Sequence, residues 1–366
     1  MAQNDDDTPF VIEPGKRYLL ARPCGGFNDC LVQLDRARRH AETFDRTLII
    51  DTHRSGLQAG FETLFAPRET FGCPVVFWIP EIGKALDTIN SVQPEALAHR
   101  ISTYRAVYDD ATRLHRDTQS NALTSVDLKR DHPETLLVQE RAGGGLDSLR
   151  LLRRLSLRAD VASEIARRLL TLNADYDAVH IRHSDYRTDF KGFLQRVAPV
   201  FSARRLLICT DSAEVKKQAP RLLGDRVHVI SIAEPPDTKG QPLHKTELAD
   251  RHAANLDLLT EILAMVRART FLFAQLDGTK RRGQFSGFAK LVVAMRAAPD
   301  TFDILFANCD PAVLRDLRAS KNAPARQDGL VDATARGVAK LKLRWWNRHA
   351  ARQVRKIRSR VRKRLL

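Results

Sequence analysis

The sequence predicts an α/β protein with two Rossmann-like domains facing a cleft. Short apolar runs alternate with helix-length amphipathic segments in both halves of the chain, which is typical of parallel sheets covered by helices. A glycine-rich turn separates the first apolar run from the first helical segment. Several later runs end directly in polar or charged residues, and ligands of open α/β sheets bind at the carboxyl ends of the strands.

The first half opens with a β-strand, a turn and a helix. An apolar run over 17–21 precedes a turn that contains Gly25 and Gly26. Apolar residues then recur at intervals of three and four, which predicts a helix, with Asn28 or Asp29 as its N-cap. Two glycines before a helix allow a ligand to approach the backbone closely, although a tight turn alone also explains them.

A second strand is predicted over 47–50, where a continuous apolar run ends at Asp51. Such a run is typical of a buried parallel strand. The segment from about 61 to 132 has no clear periodicity. A helix over 159–172 closes the expected first domain, residues 1–172.

The second half alternates more regularly, so a second Rossmann-like domain is expected over 173–312, followed by a linker and tail over 313–366. Its predicted strands are 178–182, 205–210, 227–232, 270–274 and 302–306, and its clearest predicted helices are 246–267 and 288–297.

The positive charge is concentrated at the C-terminus. The net charge is +16, and residues 340–366 hold 12 lysines and arginines and no acidic residue, so removing those 12 charges leaves +4. The tail also carries an apolar stripe at helical spacing, which favours an amphipathic helix on an anionic membrane. A packed coiled coil, a solvated helix and a nucleic-acid arm are the alternatives, but a nucleic-acid arm needs no such stripe. The stripe consists of Leu343, Trp346, Ala350, Val354, Ile357, Val361 and Leu365.

The expected location is the cytoplasm, with peripheral attachment to the inner membrane face. No segment is apolar for long enough to cross a bilayer. Residues 1–10 lack the basic and apolar regions of a secretory signal.

The most informative segment is the end of the strand predicted over 178–182. The apolar run leads directly into Arg182, which places a guanidinium at the carboxyl end of a strand. A guanidinium suits a phosphate because it contacts two oxygens at once. An ion pair between Arg182 and Asp185 is the alternative. His180 and His183 would point to opposite faces of a strand, so no metal site is expected.

Two further segments carry candidate polar groups. Thr210, Asp211 and Ser212 follow a predicted strand and can hydrogen-bond a nucleotide, although Asp211 with Glu214 also matches a helix capping box. Ser286 precedes a helix, where it can cap the first turn while free N–H groups hold a phosphate.

One carboxylate lies within an apolar helical stretch. Asp257 is surrounded there by leucines. Such a carboxylate needs a cation or a ligand hydroxyl as partner, unless it is solvated.

Taken together, these segments resemble the fucosyltransferase superfamily that includes the bacterial nodulation-factor and eukaryotic core α-1,6-fucosyltransferases and the protein O-fucosyltransferases. Where the α-1,6 enzymes often have a second arginine, this chain has His183. The matching segments are a GGFNNQ-like turn at Gly25-Gly26-Phe27-Asn28, an HxRxxD-like strand end from His180 to Asp185, a TD-type strand end at Thr210-Asp211-Ser212, and Asp257 followed by Ser286-Gly287-Phe288.

The resemblance implies a GT-B fold whose C-terminal domain binds GDP-fucose. Its N-terminal domain, residues 1–172, would form the acceptor side through the segment from about 61 to 132. The resemblance also implies inverting transfer of fucose to a glycan or lipid-linked glycan, with no metal ion and no cofactor. Arg182 would contact the β-phosphate as the catalytic residue. The implied substrate-binding residues are Gly25, Gly26, Phe27, Asn28, His180, His183, Asp185, Thr210, Asp211, Ser212, Asp257, Ser286, Gly287 and Phe288. The alternative function is a non-catalytic protein of the same fold that binds a membrane or nucleic acid through its basic tail.

Overall fold

The chain divides into two compact units, Met1–Gly145 and Leu146–Leu366. The computed structural model describes residues 10–173, 175–201, 205–235, 246, 248–277, 285–320 and 328–330. Residues 146–172, expected in the first domain from the sequence, are grouped with the second unit. The tail helix expected over 340–366 lies outside the described residues.

The first unit contains a five-stranded parallel sheet. The elements are β1 (Tyr18–Pro23), α1 (Phe27–Thr43), β2 (Thr47–Ile50), β3 (Phe65–Pro67), β4 (Val75–Phe77), α2 (Pro80–Leu86), β5 (Val92–Gln93), β6 (Ala106–Asp109), β7 (Leu114–Asp117) and β8 (Leu136–Arg141). The strand order is β4-β2-β1-β8-β5, and β6 and β7 form a separate antiparallel hairpin.

The centre of this sheet is buried on both faces, which explains the continuous apolar runs in its strands. All six residues of β1 are buried, and Leu20, Ile49 and Val138 from adjacent strands share one core cluster. The predicted bounds of β2 are confirmed.

The start of α1 differs from the sequence prediction. Its N-cap is Gly26, and no side chain caps the helix. Asn28 and Asp29, the predicted caps, lie within the first turn, so the prediction of a side-chain cap was wrong. Gly25 has φ +92°, a left-handed conformation that glycine adopts without strain. This turn lets the chain reverse from β1 into α1.

The second unit also contains a five-stranded parallel sheet. Its elements are α3 (Ser148–Leu152), β9 (Leu155–Leu157), α4 (Ala159–Thr171), β10 (Asp177–Ile181), α5 (Phe190–Val197), β11 (Arg205–Thr210), α6 (Ala213–Leu223), β12 (His228–Ile230), α7 (Arg251–Arg267), β13 (Phe271–Phe273), α8 (Gly287–Ala297), α9 (Asp300–Leu305), α10 (Pro311–Ala319) and β14 (Asp328–Leu330). The strand order is β12-β11-β10-β13-β14.

The sheet of the second unit packs against α5 and α6. Val179, Phe193 and Ile208 are at most 1% exposed in one core cluster. The predicted strand over 205–210 is confirmed at both ends, and α4 ends within one residue of the predicted helix. Among the described residues, no helix combines the length and the apolar composition needed to cross a bilayer.

Two predictions for this unit were wrong in type or extent. Residues 302–305 of the predicted strand over 302–306 lie instead in α9, and Phe306 is the C-cap of that helix. The rings of Phe302 and Phe306 stack one turn apart, with centres 4.5 Å apart. A short apolar run fits a buried helix as well as a strand. Helix α7 begins at Arg251 rather than at 246, because the Asp250 side chain accepts a hydrogen bond from the Ala253 N–H and caps it.

Candidate functional site

The candidate site of the second unit lies at the carboxyl edge of its sheet. Ile181, the last residue of β10, is in register with Thr210 of β11, and His180 is in register with Phe273 of β13. The residues that follow β10 and β11 therefore emerge side by side. Since β10 is the central strand, its end lies in the middle of this edge.

Arg182 follows β10 and is held by acidic and aromatic neighbours. Its Nε and Nη2 donate to the two carboxylate oxygens of Asp185 at 2.7 and 2.5 Å. Asp211 lies 4.0 Å from Nε, and the guanidinium lies 4.9 Å from the Tyr186 ring centre. Burial alone raises the pKa of Asp185, but the contacts with Arg182 outweigh it and lower this pKa.

The ion pair proposed as the alternative role of Arg182 is thus present. It leaves part of the guanidinium available, because the Arg182 side chain is 27% exposed and its Nη1 has no acceptor among the described residues. Because the Asp185 carboxylate binds one edge of the planar guanidinium, it also fixes the direction of the opposite edge. The geometry is compatible with a further anion at Nη1.

Asp211 connects the loops that follow β10 and β11. Its carboxylate accepts hydrogen bonds from the backbone N–H groups of His183 and Ser184 at 2.7 and 3.2 Å, and from the Ser184 hydroxyl at 2.6 Å. The N-cap of α6 is Ser212, whose side chain accepts from Val215 N–H. The capping-box interpretation of Asp211 was therefore wrong, because its carboxylate is used across the loops.

His183 and Thr210 have local structural contacts at this edge. The His183 ring meets Phe190 edge-on at 4.9 Å, and its Nδ1 accepts from Thr188 N–H. The Thr210 hydroxyl accepts from Ser212 N–H at 3.2 Å. Among the described residues, no three His, Cys, Asp or Glu side chains are grouped to hold a metal ion.

His180 joins β10 to the beginning of α8. Its ring stacks on Phe288 with centres 5.0 Å apart and planes 22° apart. Burial, with a smaller contribution from the positive charge of Arg182, lowers the pKa of His180 to about 3. The imidazole is therefore neutral at physiological pH and packs like an aromatic side chain.

The first turn of α8 retains free backbone donors. Ser286 is its N-cap, as predicted, and accepts from Phe288 N–H at 3.2 Å. The N–H groups of Gly287 and Ala289 have no acceptor within the helix. Together with the helix dipole, such groups favour an anion.

Asp257 lies on α7 and pairs with a cation from α4. Arg168 Nη1 donates to its carboxylate at 2.7 Å, and the Asp257 side chain is 37% exposed. A cation, one of the two partners expected from the sequence, therefore satisfies this carboxylate.

A second carboxylate on α7 was missed in the sequence. Glu261 is half-buried one helical turn after Asp257. Burial raises the pKa of Glu261 to about 8; Lys216 opposes this shift, and Asp257 and Asp211 add to it. The sequence did hold a signal for it, because Glu261 is a second carboxylate in the same apolar stretch, four residues after Asp257.

The glycine-rich turn lies in the first unit. A Cβ on Gly25 would come within 2.9 Å of the Asp29 carboxylate, whereas one on Gly26 would meet nothing within 4 Å among the described residues. Phe27 is buried and stacks on Phe65 with ring centres 6.2 Å apart. The Asn28 amide donates to Gly145 at 3.4 Å, while its buried Oδ1 has no partner in the described part of the chain.

Three further strand ends of the first unit carry buried charge, and no functional role was predicted for these residues from the sequence. They are Arg22 on β1, Asp51 after β2 and Glu140 on β8, each at most 3% exposed. The signal was the same as for Arg182: an apolar run that ends in a charged residue.

No protein-family model matches the chain, and no curated protein matches it by sequence. Solved structures do match. The NodZ α-1,6-fucosyltransferase co-crystallised with GDP is 20% identical, with a TM-score of 0.50, covering 76% of this chain and 91% of that one. NodZ from Bradyrhizobium has a TM-score of 0.44 at 20% identity, covering 76% and 92%. POFUT1 in complex with GDP has a TM-score of 0.44 at 14% identity, covering 77% and 94%.

The chain therefore has a fucosyltransferase-like α/β fold with parallel sheets. The resemblance to the fucosyltransferase superfamily, drawn from four short motifs, is confirmed at the level of the fold.

Proposed function

We propose that the protein is an inverting, metal-independent glycosyltransferase that transfers fucose from GDP-fucose to a glycan or lipid-linked glycan. The observation that carries this proposal is Arg182, oriented by Asp185 at the carboxyl end of the central strand β10. The fold supports it, since the matching NodZ structure was co-crystallised with GDP.

The chemistry requires a site for negative charge. As the acceptor oxygen attacks the anomeric carbon, the bond from that carbon to the β-phosphate oxygen breaks. The electron pair leaves with GDP, and attack from the opposite face inverts the configuration. Arg182 Nη1 and the first N–H groups of α8 would stabilise the charge that develops on the diphosphate. These groups supply positive potential without a metal ion.

The acidic neighbours of Arg182 refine this assignment. Asp185 and Asp211 offset its positive charge, so the guanidinium provides a directed hydrogen-bond donor more than a free charge. A directed donor costs little reorganisation as charge develops. The loop contacts of Asp211 would keep that donor in place.

The experiment is calorimetric titration with GDP in EDTA, with UDP as the comparison nucleotide. The expected result is GDP binding without added metal and at least tenfold tighter than UDP. Binding that requires Mg²⁺ or Mn²⁺ would contradict metal independence. Absence of GDP binding under both conditions would refute the proposed donor. A panel of GDP-sugars, assayed for GDP release, then identifies the transferred sugar.

We also propose, from the sequence alone, that the protein works in the cytoplasm on the inner membrane face. The support is the basic, amphipathic pattern over 340–366. Attraction to anionic lipid is on the order of 1 kcal/mol per basic residue near the surface. A membrane location would bring the enzyme to lipid-linked acceptors.

A further inference from the structure

The loop after β10 carries an exposed aromatic side chain beside the candidate phosphate-binding group. Tyr186 is 38% exposed. Among the described residues of the second unit, it is the only large aromatic or aliphatic side chain that is exposed. Its ring lies against the Arg182 guanidinium, with 4.9 Å between the ring centre and Cζ. Both residues belong to the second unit, so their arrangement is given within one compact unit.

The backbone on both sides of Tyr186 is held by hydrogen bonds. The Thr188 hydroxyl donates to the Arg182 carbonyl at 2.6 Å and so connects the two ends of the loop. The Asp277 N–H donates to the Arg187 carbonyl at 2.9 Å, which attaches the loop to the segment after β13. The position of the exposed ring beside Arg182 is therefore set by the fold of the loop.

The Arg182 guanidinium does not depend on Tyr186 for its orientation. Its Nε and Nη2 already donate to the two carboxylate oxygens of Asp185. Two directed hydrogen bonds to a carboxylate fix a planar guanidinium, whereas the attraction between a cation and an exposed aromatic ring is weak in water. The Tyr186 ring is therefore available to contact a ligand that binds at Nη1.

The covalent structure of a nucleotide sugar places its sugar close to this ring. In the proposed function the β-phosphate binds at Arg182 Nη1, and an N–H···O hydrogen bond spans about 2.7–3.2 Å. The sugar is joined to that same phosphate through a single oxygen atom. The sugar ring therefore lies only a few bond lengths from the phosphate, at a distance from Arg182 that is comparable with that of the Tyr186 ring.

An aromatic ring is a suitable partner for the apolar part of a sugar. Sugar rings carry C–H groups on their faces, and fucose also carries a methyl group in place of a hydroxymethyl group. Ligand sites combine a few directed polar groups with aromatic side chains, and tyrosine offers a large contact area at low conformational cost. Here Arg182 supplies the directed polar group and Tyr186 the aromatic surface.

We propose that the Tyr186 ring packs against the sugar of the nucleotide-sugar donor. The assignment rests on the proposed function. Arg182 contacts the phosphate that GDP and GDP-fucose share, whereas Tyr186 contacts only the sugar, which is transferred in the reaction. The donor therefore makes a contact that the product GDP lacks. This difference favours the replacement of GDP by a new donor molecule after each transfer.

The test compares the affinities of the protein for GDP and for GDP-fucose, so no acceptor needs to be known. Each ligand is titrated calorimetrically into the parent protein, Tyr186→Ala and Tyr186→Phe. The matched control is Gln195→Ala, which removes an exposed side chain from α5 in the same unit. A far-UV circular dichroism spectrum and a thermal midpoint of each variant check that the fold is retained.

Loss of the ring should affect only the ligand that carries a sugar. A single methylene group in an apolar pocket changes discrimination between ligands by about 10–200-fold. We therefore expect Tyr186→Ala to bind GDP-fucose at least tenfold more weakly than the parent, with an affinity for GDP within twofold of the parent. Tyr186→Phe retains the ring and should bind both ligands within threefold of the parent. Gln195→Ala should match the parent for both ligands.

The outcomes separate the two proposals. If the parent does not bind GDP, the proposed function fails, and the assignment of Tyr186 fails with it. If the parent binds GDP but not GDP-fucose, or if Tyr186→Ala keeps the parental affinity for GDP-fucose, only the sugar contact is overturned. Equal weakening of both ligands in Tyr186→Ala would show that the ring acts on Arg182 alone and would also overturn it. An equal loss of GDP-fucose affinity in Tyr186→Phe and Tyr186→Ala would identify the hydroxyl as the contact and overturn packing by the ring.

Discussion

The Ser184 hydroxyl donates to the Asp211 carboxylate at 2.6 Å and so ties the loop after β10 to the end of β11. The same carboxylate accepts the N–H groups of His183 and Ser184. One acidic side chain thus shapes the segment that begins with Arg182. Hydrogen bonds to an ionised acceptor contribute about 1.5–3 kcal/mol each when their loss leaves the donors unpaired.

We expect Asp211→Ala to lower the free energy of unfolding by about 2 kcal/mol, and Ser184→Ala by about 1 kcal/mol. Because the two side chains act on one hydrogen bond, Ser184→Ala should have almost no further effect in the Asp211→Ala background. Urea unfolding of the parent, both single variants and the double variant measures this coupling. Additive effects would show that Ser184 and Asp211 act independently.

Arg182→Ala should reduce transfer or donor hydrolysis by about 10²–10³-fold, which corresponds to about 3 kcal/mol of transition-state stabilisation. The fold should remain intact, because the guanidinium lies at the surface end of a strand. Arg182→Lys keeps the charge but not the paired contact with Asp185, so we expect an intermediate rate. Fucose release and the thermal midpoint are measured together. An Arg182→Ala protein with parental turnover would remove Arg182 from the mechanism.

His180 should make the protein sensitive to acid. Its pKa is about 3 in the folded state, against about 6.5 in an unfolded chain. The unfolded state therefore takes up the proton first, and the stability due to neutral His180 is present above pH 6.5 and is lost toward pH 3. Between pH 6.5 and 4.5, the free energy of unfolding of the parent should fall by on the order of 2 kcal/mol more than that of His180→Gln. Urea unfolding at both pH values tests this; equal losses would contradict it.

Glu261 should change the pH dependence of folding stability in the opposite direction to His180. Its pKa is about 8 when folded, above the ordinary value of 4.5, so the folded state keeps a proton that the unfolded state releases. The stability due to protonated Glu261 is present below pH 4.5 and is lost as the pH rises through 8. The free energy of unfolding of Glu261→Gln should match that of the parent at pH 4.5 and exceed it by on the order of 4 kcal/mol at pH 8. Unchanged relative stability across this range would show an ordinary, solvated carboxylate.

The C-terminal tail gives a prediction from sequence alone. A chain that ends at Asp332 lacks the 12 basic residues of 340–366. It should remain soluble and bind GDP like the full chain, but its co-sedimentation with anionic liposomes should fall sharply. Binding of the full chain should weaken with salt. Equal sedimentation of both chains would place membrane binding elsewhere, and a gel shift of nucleic acid by the full chain without liposome binding would favour the nucleic-acid arm.

The amino-acid sequence by itself determined the fold class and several elements of the second unit. Strand β11 was predicted at its true bounds because a buried parallel strand is a continuous apolar run, which is a local signal. Ser286 was recognised as a cap because a cap acts within one turn of its own helix. The run over 302–306 was misassigned because its short apolar pattern fits either a strand or a helix.

Only the tertiary structure decided which side chains meet. Asp211 and Glu214 match a local capping box, but the Asp211 carboxylate reaches a loop 27 residues earlier. Likewise, Asp51 follows β2, yet the Arg22 guanidinium that donates to its carboxylate comes from β1. Sequence patterns report periodicity and local contacts, whereas these pairings depend on strand order and register, which bring distant residues to one edge of a sheet.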